Sequence, residues 1–492
     1  MHDGAPTAKA RLYEEVADEI RAAVDSGALC PGDRLPSVRR MSRQRRVSVS
    51  TVLQAYEKLE AAGVIQTRPQ SGHYVRTRRT VPEPRPLRTP QLTSAVEVNA
   101  LVESVYSSSN ADAAVGFGAA YTPFSLLPTN RLRRLLAAEL RAAPHGGAEY
   151  DEPRGFPALR QQIARRALDW GCTLSPDELI VTYGATEALN LCLLAVARRG
   201  DTVAVESPTF FGILQMLEAH GLRALEIPCD PRHGMRLDAL EAGLRRHRVA
   251  AVMAVPNFSN PLGSLMPDAS KEKLVAMLAR RGIPLIEDDC FGDLHFGPTR
   301  PRVAKSFDRR GLVLLCGSFS KTLAHGYRIG WVAPGRFQER VQLLKYSQTV
   351  ATATLPQRAI ARFLEGGGYD RHLRALRRRN AESMARLESA VIEHFPRGTR
   401  MTRPQGGMLL WVELPRRVDA IELYRRALAE GITTAPGPIF SARQRLGNFV
   451  RLNGGIEWTP RVEAALARVG QLAAELAAPP TRALRPPRRA AR

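Results

Sequence analysis

The chain is short of several things. Its six cysteines (Cys30, Cys172, Cys192, Cys229, Cys290 and Cys316) are scattered over 492 residues, with no C-x-x-C pair among them. That spacing argues against a zinc site and suits a reducing cytosol. No run of about 18 apolar residues occurs, so no membrane-spanning helix is expected. The opening MHDGAPTAKARLYEE has no apolar core of the kind that marks a secretory leader. Acids are also scarce, with 48 Asp and Glu against 71 Lys and Arg, a net charge of +23. Such an excess makes a polyanion a natural partner. The expectation is a cytoplasmic, multidomain protein with no membrane association.

From Leu12 the sequence LYEEVADEIRAAV places Leu12, Val16, Ile20 and Val24 at i, i+4 spacing, which predicts an amphipathic helix. Gly27 and Pro31-Gly32 close it. Ser37 opens a short basic helix from Val38 to Arg45, and Ser48 is the expected N-cap of another that stops at Gly63. The latter helix should bury Val52, Tyr56 and Leu59 and turn Ser50, Thr51 and Gln54 outward. Two short strands, Val64 to Arg68 and His73 to Val75, follow around Pro69-Gln-Ser-Gly72. Helix, helix-turn-helix and hairpin within residues 1–75 describe a winged helix, whose second short helix enters a DNA major groove. Arg39, Arg40, Arg43, Arg45 and Arg46 surround its first turn and reach for phosphates.

LPSVRRMSRQRRVSVSTVLQAYEKLEAAGVI, with SGHYV after it, resembles a GntR-type DNA-binding domain. The resemblance implies double-stranded operator DNA as partner, with Arg39, Ser48, Ser50, Thr51 and the wing around Gly72 and His73 in contact positions. Relatives often carry arginine where this chain has Val49, which weakens base reading there. Residues 76–95, RTRRTVPEPRPLRTPQLTSA, are rich in proline and arginine and predict a semi-rigid linker. The tail 478–492 has a similar composition and is expected to be disordered.

Between them, residues 96–477 alternate strands with helix-length segments. Apolar strands are expected at Glu178–Val181, Thr202–Val205, Ala250–Ala254, Pro284–Ile286 and Leu312–Leu315, giving an α/β domain with a largely parallel sheet. Ligands collect at the carboxyl ends of such strands, so what each strand delivers matters. The first ends in TYGAT, a glycine turn at a helix start that suits an anion. The second ends in ESPTFF, an aromatic face. The third ends in PNFSNPLG and the fourth in three carboxylates, Glu287, Asp288 and Asp289, too many to bury without a cation. The fifth leads into GSFSKTLAHGYRIGW, Gly317 to Trp331, with two hydroxyls, a lysine amine and then Arg328 one or two helical turns on. A lysine in an apolar pocket becomes a nucleophile toward a carbonyl, and the hydroxyls and guanidinium suit a phosphate. An aldehyde bearing a phosphate is pyridoxal 5'-phosphate (PLP), which would form a Schiff base at Lys321.

This ordered set resembles fold type I PLP enzymes of the class I aminotransferase kind, with a small C-terminal α/β subdomain. By that resemblance Lys321 carries the cofactor and is the catalytic residue. Asp288 partners the ring nitrogen, Asn260 the ring hydroxyl, and Phe210 stacks on the ring. Ala185, Thr186, Ser318, Ser320 and Arg328 hold the phosphate. Tyr150, in YDEPRG, reaches the neighbouring subunit's phosphate, implying a head-to-tail homodimer. Arg451, in FVRLNGG, clamps a substrate carboxylate. Where family members place a tyrosine three residues after the aspartate, this chain has Phe291; losing that hydroxyl should raise the Schiff-base pKa and slow transamination. Winged helix, linker and aminotransferase-like domain in this order resemble the MocR subfamily of transcription regulators. That implies sensing of a small amino compound, or of PLP itself, with weak or no turnover. A working aminotransferase carrying an accessory DNA-binding domain is the alternative.

Overall fold

The computed structural model describes residues 7–26, 28–68, 71–76, 81–86, 92–106 and 115–479. Gly27, the 69–70 tip of the wing and the tail beyond 479 lie outside the described residues, as do 77–80 and 87–91 of the linker.

The N-terminal unit packs helices Thr7–Asp25, Val38–Arg45 and Val49–Ala61 against a hairpin of Ile65–Arg68 and Gly72–Val75. Each short helix starts where a serine hydroxyl can accept a free amide: Ser37 from Arg40 N, and Ser48 from Thr51 N. Val16, Ile20, Met41, Val52, Tyr56 and Leu59 interlock as its core. Tyr56 is buried to 1 % and anchors its hydroxyl on the Pro36 carbonyl at 2.7 Å. Leu12, expected on the inner stripe, is exposed; Tyr13, Val16, Ala17, Ile20 and Val24 carry the core face of that helix.

The large domain is built on one sheet. Its order is Thr93–Ser94, Arg223–Asp230, Thr202–Ser207, Ala251–Ala254, Leu285–Asp288, Val313–Ser318, Ile329–Ala333 and Ile180–Tyr183, with Gly234–Met235 attached to Arg223–Asp230. The five central strands from Arg223–Asp230 to Val313–Ser318 are mutually parallel, whereas Ile329–Ala333 runs against both its neighbours. Helices cover the sheet, and both faces of the strands are buried, as their continuous apolar sequences require.

A four-stranded antiparallel sheet, with Arg400–Met401, Leu409–Glu413, Phe449–Asn453 and Ala435–Pro436, forms the C-terminal part. Helices Ala420–Ala429, Pro460–Ala477 and the long Gly368–His394 pack around it. The chain is class α+β as a whole. The linker does not stand off as a tether where it is described. Val81 is buried in the C-terminal core, Pro82 accepts a hydrogen bond from Met401 N, and Thr93–Ser94 adds an antiparallel edge to the main sheet.

Candidate functional site

Side chains alternate along a strand, and that alternation sorts the three acids at the end of Leu285–Asp288. Glu287 points into the protein, where its oxygens accept from the backbone amides of Ala304 at 2.6 Å and Lys305 at 2.9 Å. Burial, reinforced by Asp289, pushes its carboxyl up to about 7. Asp289 pairs with the buried Arg300 and accepts from Asn257 Nδ2 at 2.8 Å. Asp288 alone turns the other way, into a cavity, where its Oδ1 accepts from Cys290 N at 3.0 Å. Burial raises the Asp288 carboxyl above the ordinary range, with Cys290 and Lys321 opposing.

The cavity has a volume of about 260 Å³. Ala185, Thr186, Phe210, Asn260, Asp288, Ser318, Ser320, Lys321, Arg328 and Arg451 all line it, so ten residues read from separate strand ends meet in one place. The Lys321 amine donates to the Ala120 carbonyl at 2.6 Å and lies 5.6 Å from the centre of the Phe291 ring. Burial holds that amine below the ordinary lysine range; Cys290 and Asp288 oppose the shift and Arg451 and Arg328 add to it. Arg451 is fully buried, donates to Asn260 Oδ1 at 3.0 Å and to the Gly118 carbonyl, and crosses the face of Phe440.

At the other end the helix Gly184–Val196 aims its N-terminus at the cavity through Ala185 and Thr186. Glycine is required on both sides of this approach. A Cβ on Gly330 would sit 2.4 Å from the Gly184 carbonyl carbon, and one on Gly184 would meet the Arg328 guanidinium at 2.6 Å. Arg328 itself is not on a helix, as its spacing from Lys321 had suggested. It follows a single turn, His325–Tyr327, in left-handed backbone (φ 54°) immediately before the strand Ile329–Ala333, and donates to the Tyr183 carbonyl at 3.3 Å. Tyr150 lies outside this chain's cavity and is 85 % exposed.

Ala120, Tyr121 and Cys290 also line the cavity. The first two arrive on a stretch, GFGAAYTPF, whose sequence carries no motif, and only the fold brings it under the lysine. Cys290 sits in plain view between Asp288 and Phe291, but burial raises its thiol far above the reactive range.

On the winged helix, Arg39, Ser48 and Ser50 are exposed, as are Val49, Leu53 and Gln54. Thr51 departs from expectation. It is 5 % exposed, and its hydroxyl is engaged at 2.7 Å by the Ser48 cap, so it faces inward as part of the helix start. His73 is half-buried, its ring 4.7 Å from Tyr56 and its Nδ1 3.1 Å from the Thr67 hydroxyl. Gly72 takes φ 110° at the wing, next to the Arg34 guanidinium.

A buried lysine facing a buried aspartate at strand ends, a helix N-terminus with hydroxyls beside it, and a winged helix on the same chain define a PLP-dependent fold type I domain joined to a DNA-binding domain. Residues 125–456 match the class I and II aminotransferase family, and residues 12–75 match the gntR family of bacterial regulatory proteins. The uncharacterized HTH-type transcriptional regulator YdcR of Escherichia coli (strain K12) is 39 % identical over 94 % of this chain and 99 % of its own length. The 2-aminoadipate transaminase of Thermus thermophilus is 32 % identical over 67 % of this chain and 82 % of its own. Among solved structures, the α-aminoadipate aminotransferase LysN of T. thermophilus, complexed with N-(5'-phosphopyridoxyl)-L-leucine, superposes with a TM-score of 0.70 at 29 % identity. That match covers 74 % of this chain and 93 % of LysN. The chain belongs to the MocR-type HTH transcription regulators, in which a GntR domain is fused to an aminotransferase class I and II domain. It is a PLP-dependent, DNA-binding regulator. Among the described residues no helix is long and apolar enough to cross a membrane.

Proposed function

We propose that the large domain is the sensor of this regulator: it responds to a small amino compound, or to PLP itself, and changes the operator affinity of the winged helix. The residues of the cavity fit the cofactor. Lys321 offers a desolvated amine, and Asp288 a carboxylate with no guanidinium competing for it. Ser318, Ser320, Arg328 and the amides of Ala185 and Thr186 offer donors for a phosphate. Asn260 and Phe210 bound the place between. Bound there, PLP supplies an aldehyde that accepts an amine and a ring that draws electrons. Arg451 has the planar fork that a ligand carboxylate calls for. Tyr150, with its ring in the open, is assigned to the phosphate of a second copy in a head-to-tail homodimer. The exposed apolar side chains Phe124, Leu343 and Tyr346 support such self-association. The protein acts in the cytoplasm, where its DNA is.

The observation that carries this reading is the convergence of Lys321, Asp288 and Arg451 on one cavity of about 260 Å³. Its test is Lys321→Ala. The variant should lose both the visible absorbance of the PLP-loaded chain and the effect of PLP on binding to a duplex from its own upstream region. Unchanged regulation in that variant would remove the lysine from the mechanism. The complete donor set also favours a second reading, a working aminotransferase. Multiple turnover of an amino acid at ordinary rates of about 1–10³ per second would support it, whereas Phe291 argues for slow turnover.

A further inference from the structure

The residue after the cofactor lysine is held from outside the cavity by one helix. Thr322 is 2 % exposed; its hydroxyl meets the Tyr369 hydroxyl at 2.8 Å, and its carbonyl accepts from His372 Nε2 at 2.6 Å. Burial lowers the His372 imidazole, so the neutral ring, protonated at Nε2, is the donor. Tyr369 is locked in turn, with its hydroxyl 3.1 Å from Asp293 Oδ2 and the Arg166 guanidinium 4.4 Å above its ring. Both Tyr369 and His372 lie in the first turns of Gly368–His394, a single 27-residue helix.

The other end of that helix touches the winged helix. Glu393 pairs with Arg76, just beyond the wing. Ser389 packs under Gly63, where the recognition helix stops; a Cβ on Gly63 would lie 2.7 Å from the Ser389 hydroxyl. Between these contacts and the cavity, Arg378, Glu382 and Arg386 face Tyr13, Gln54 and Lys58 across a cleft of about 890 Å³. A continuous helix rises 1.5 Å per residue, so His372 and Ser389 are roughly 25 Å apart along one stiff element. The helix thus bonds the lysine loop at one end, and at the other packs against Gly63 and pairs with Arg76.

We propose that Tyr369 and His372 are positioning residues for Lys321, and that the Gly368–His394 helix passes displacement of the lysine loop to the recognition helix at Gly63. This rests on the reading that Lys321 carries PLP. Drawing Lys321 toward or away from Asp288 moves Thr322 with it; the two hydrogen bonds make the helix follow, and Ser389 moves against Gly63. The coupling is reciprocal, so operator DNA must alter PLP affinity by the same factor.

The test uses the full chain, PLP as the only small-molecule probe and an upstream-region duplex. Three variants are compared: Thr322→Val, Thr322→Ser and His372→Phe. In the natural chain the operator Kd with and without PLP should differ by about 5–150-fold, the usual range for such coupling. Thr322→Val and His372→Phe, which has no donor, should keep the visible PLP band but bring that ratio to within about twofold, with the band's pH midpoint displaced. Thr322→Ser, which keeps the hydroxyl, should restore both. A ratio retained in Thr322→Val and His372→Phe with the band intact would overturn the proposal. So would Thr322→Ser failing to restore what Thr322→Val loses, or a natural chain whose operator affinity ignores PLP. Absence of the band in the natural chain would instead sink the assignment of Lys321, so the two failures are distinguishable.

Discussion

Removing Arg300 should destabilise the large domain, and its surroundings give the magnitude. Its side chain is 6 % exposed and sits between Asp289, 2 % exposed, and Asp293, 15 % exposed. It donates from Nε to Asp293 at 2.7 Å, bonds Asp289 through Nη2, and lies 5.1 Å from the Trp170 ring. Arg300→Met keeps the apolar bulk and removes the charge. Asp293 still faces Arg166 and Tyr369, but Asp289 keeps only the Asn257 amide. Breaking a buried pair from one side typically costs about 3–5 kcal/mol, against about 0–1 kcal/mol for an exposed one. Urea unfolding followed by tryptophan fluorescence reads the right unit, because all four tryptophans (170, 331, 411 and 458) lie in the large domain.

The deficit should also depend on acidity. Burial opposes, but Arg300 and Arg166 hold the Asp293 carboxyl well below the usual range. A depressed carboxylate contributes stability above its unfolded pKa of about 4 and loses it as pH falls toward the folded value. The gap between natural chain and Arg300→Met should therefore be full at pH 7 and narrow below about pH 4. Arg300→Met with Asp289→Asn should recover part of the loss. A deficit under about 1 kcal/mol at pH 7, the value of a surface pair, would refute the claim that this network is buried and closed.

Three further outcomes follow from other residues. Burial pushes Glu206 up to about 7, and its Oε1 has no partner among the described residues. This group alone should thus remove about 2–3 kcal/mol as pH rises from 4.5 through 7, and Glu287 acts in the same direction. Glu206→Gln should lessen that slope in urea titrations at pH 5 and pH 8, leaving the share of Glu287, and an unchanged slope would contradict it. Phe291→Tyr should move the pH midpoint of the PLP-loaded chain's visible band downward and speed any amine turnover; a midpoint that stays put would show that the ring edge does not reach the cofactor. Val49 is 46 % exposed at the start of the recognition helix. Val49→Arg should tighten binding to DNA and steepen the log Kd against log salt plot by about one, and equal slopes would place residue 49 away from the phosphates.

Much of this was legible in the residues, for reasons that differ by element. The winged helix announced itself because i, i+4 spacing, two serine caps and Gly63 act locally. Buried parallel strands are continuous apolar runs, so five were visible, but Arg223–Asp230 is interrupted by Glu226 and Pro228. Ile329–Ala333 was hidden behind the turn at Arg328, whose left-handed backbone no arginine advertises. The three acids were visible as a problem in charge burial; the choice of Asp288 needed the pleat, and the cation for Asp289 came from Arg300, eleven residues on. Thr51 misled because a helix start that looks outward in sequence was folded back by its own cap. The clamp on Thr322 joins residues about fifty positions apart and has no local signature at all.

The most direct measurement is chemical. The PLP-loaded chain is reduced with borohydride, digested and mapped by mass spectrometry. One phosphopyridoxyl group is expected, on the peptide containing Lys321, and none in Lys321→Ala. A label on any other lysine, or no label in a chain saturated with PLP, would contradict it.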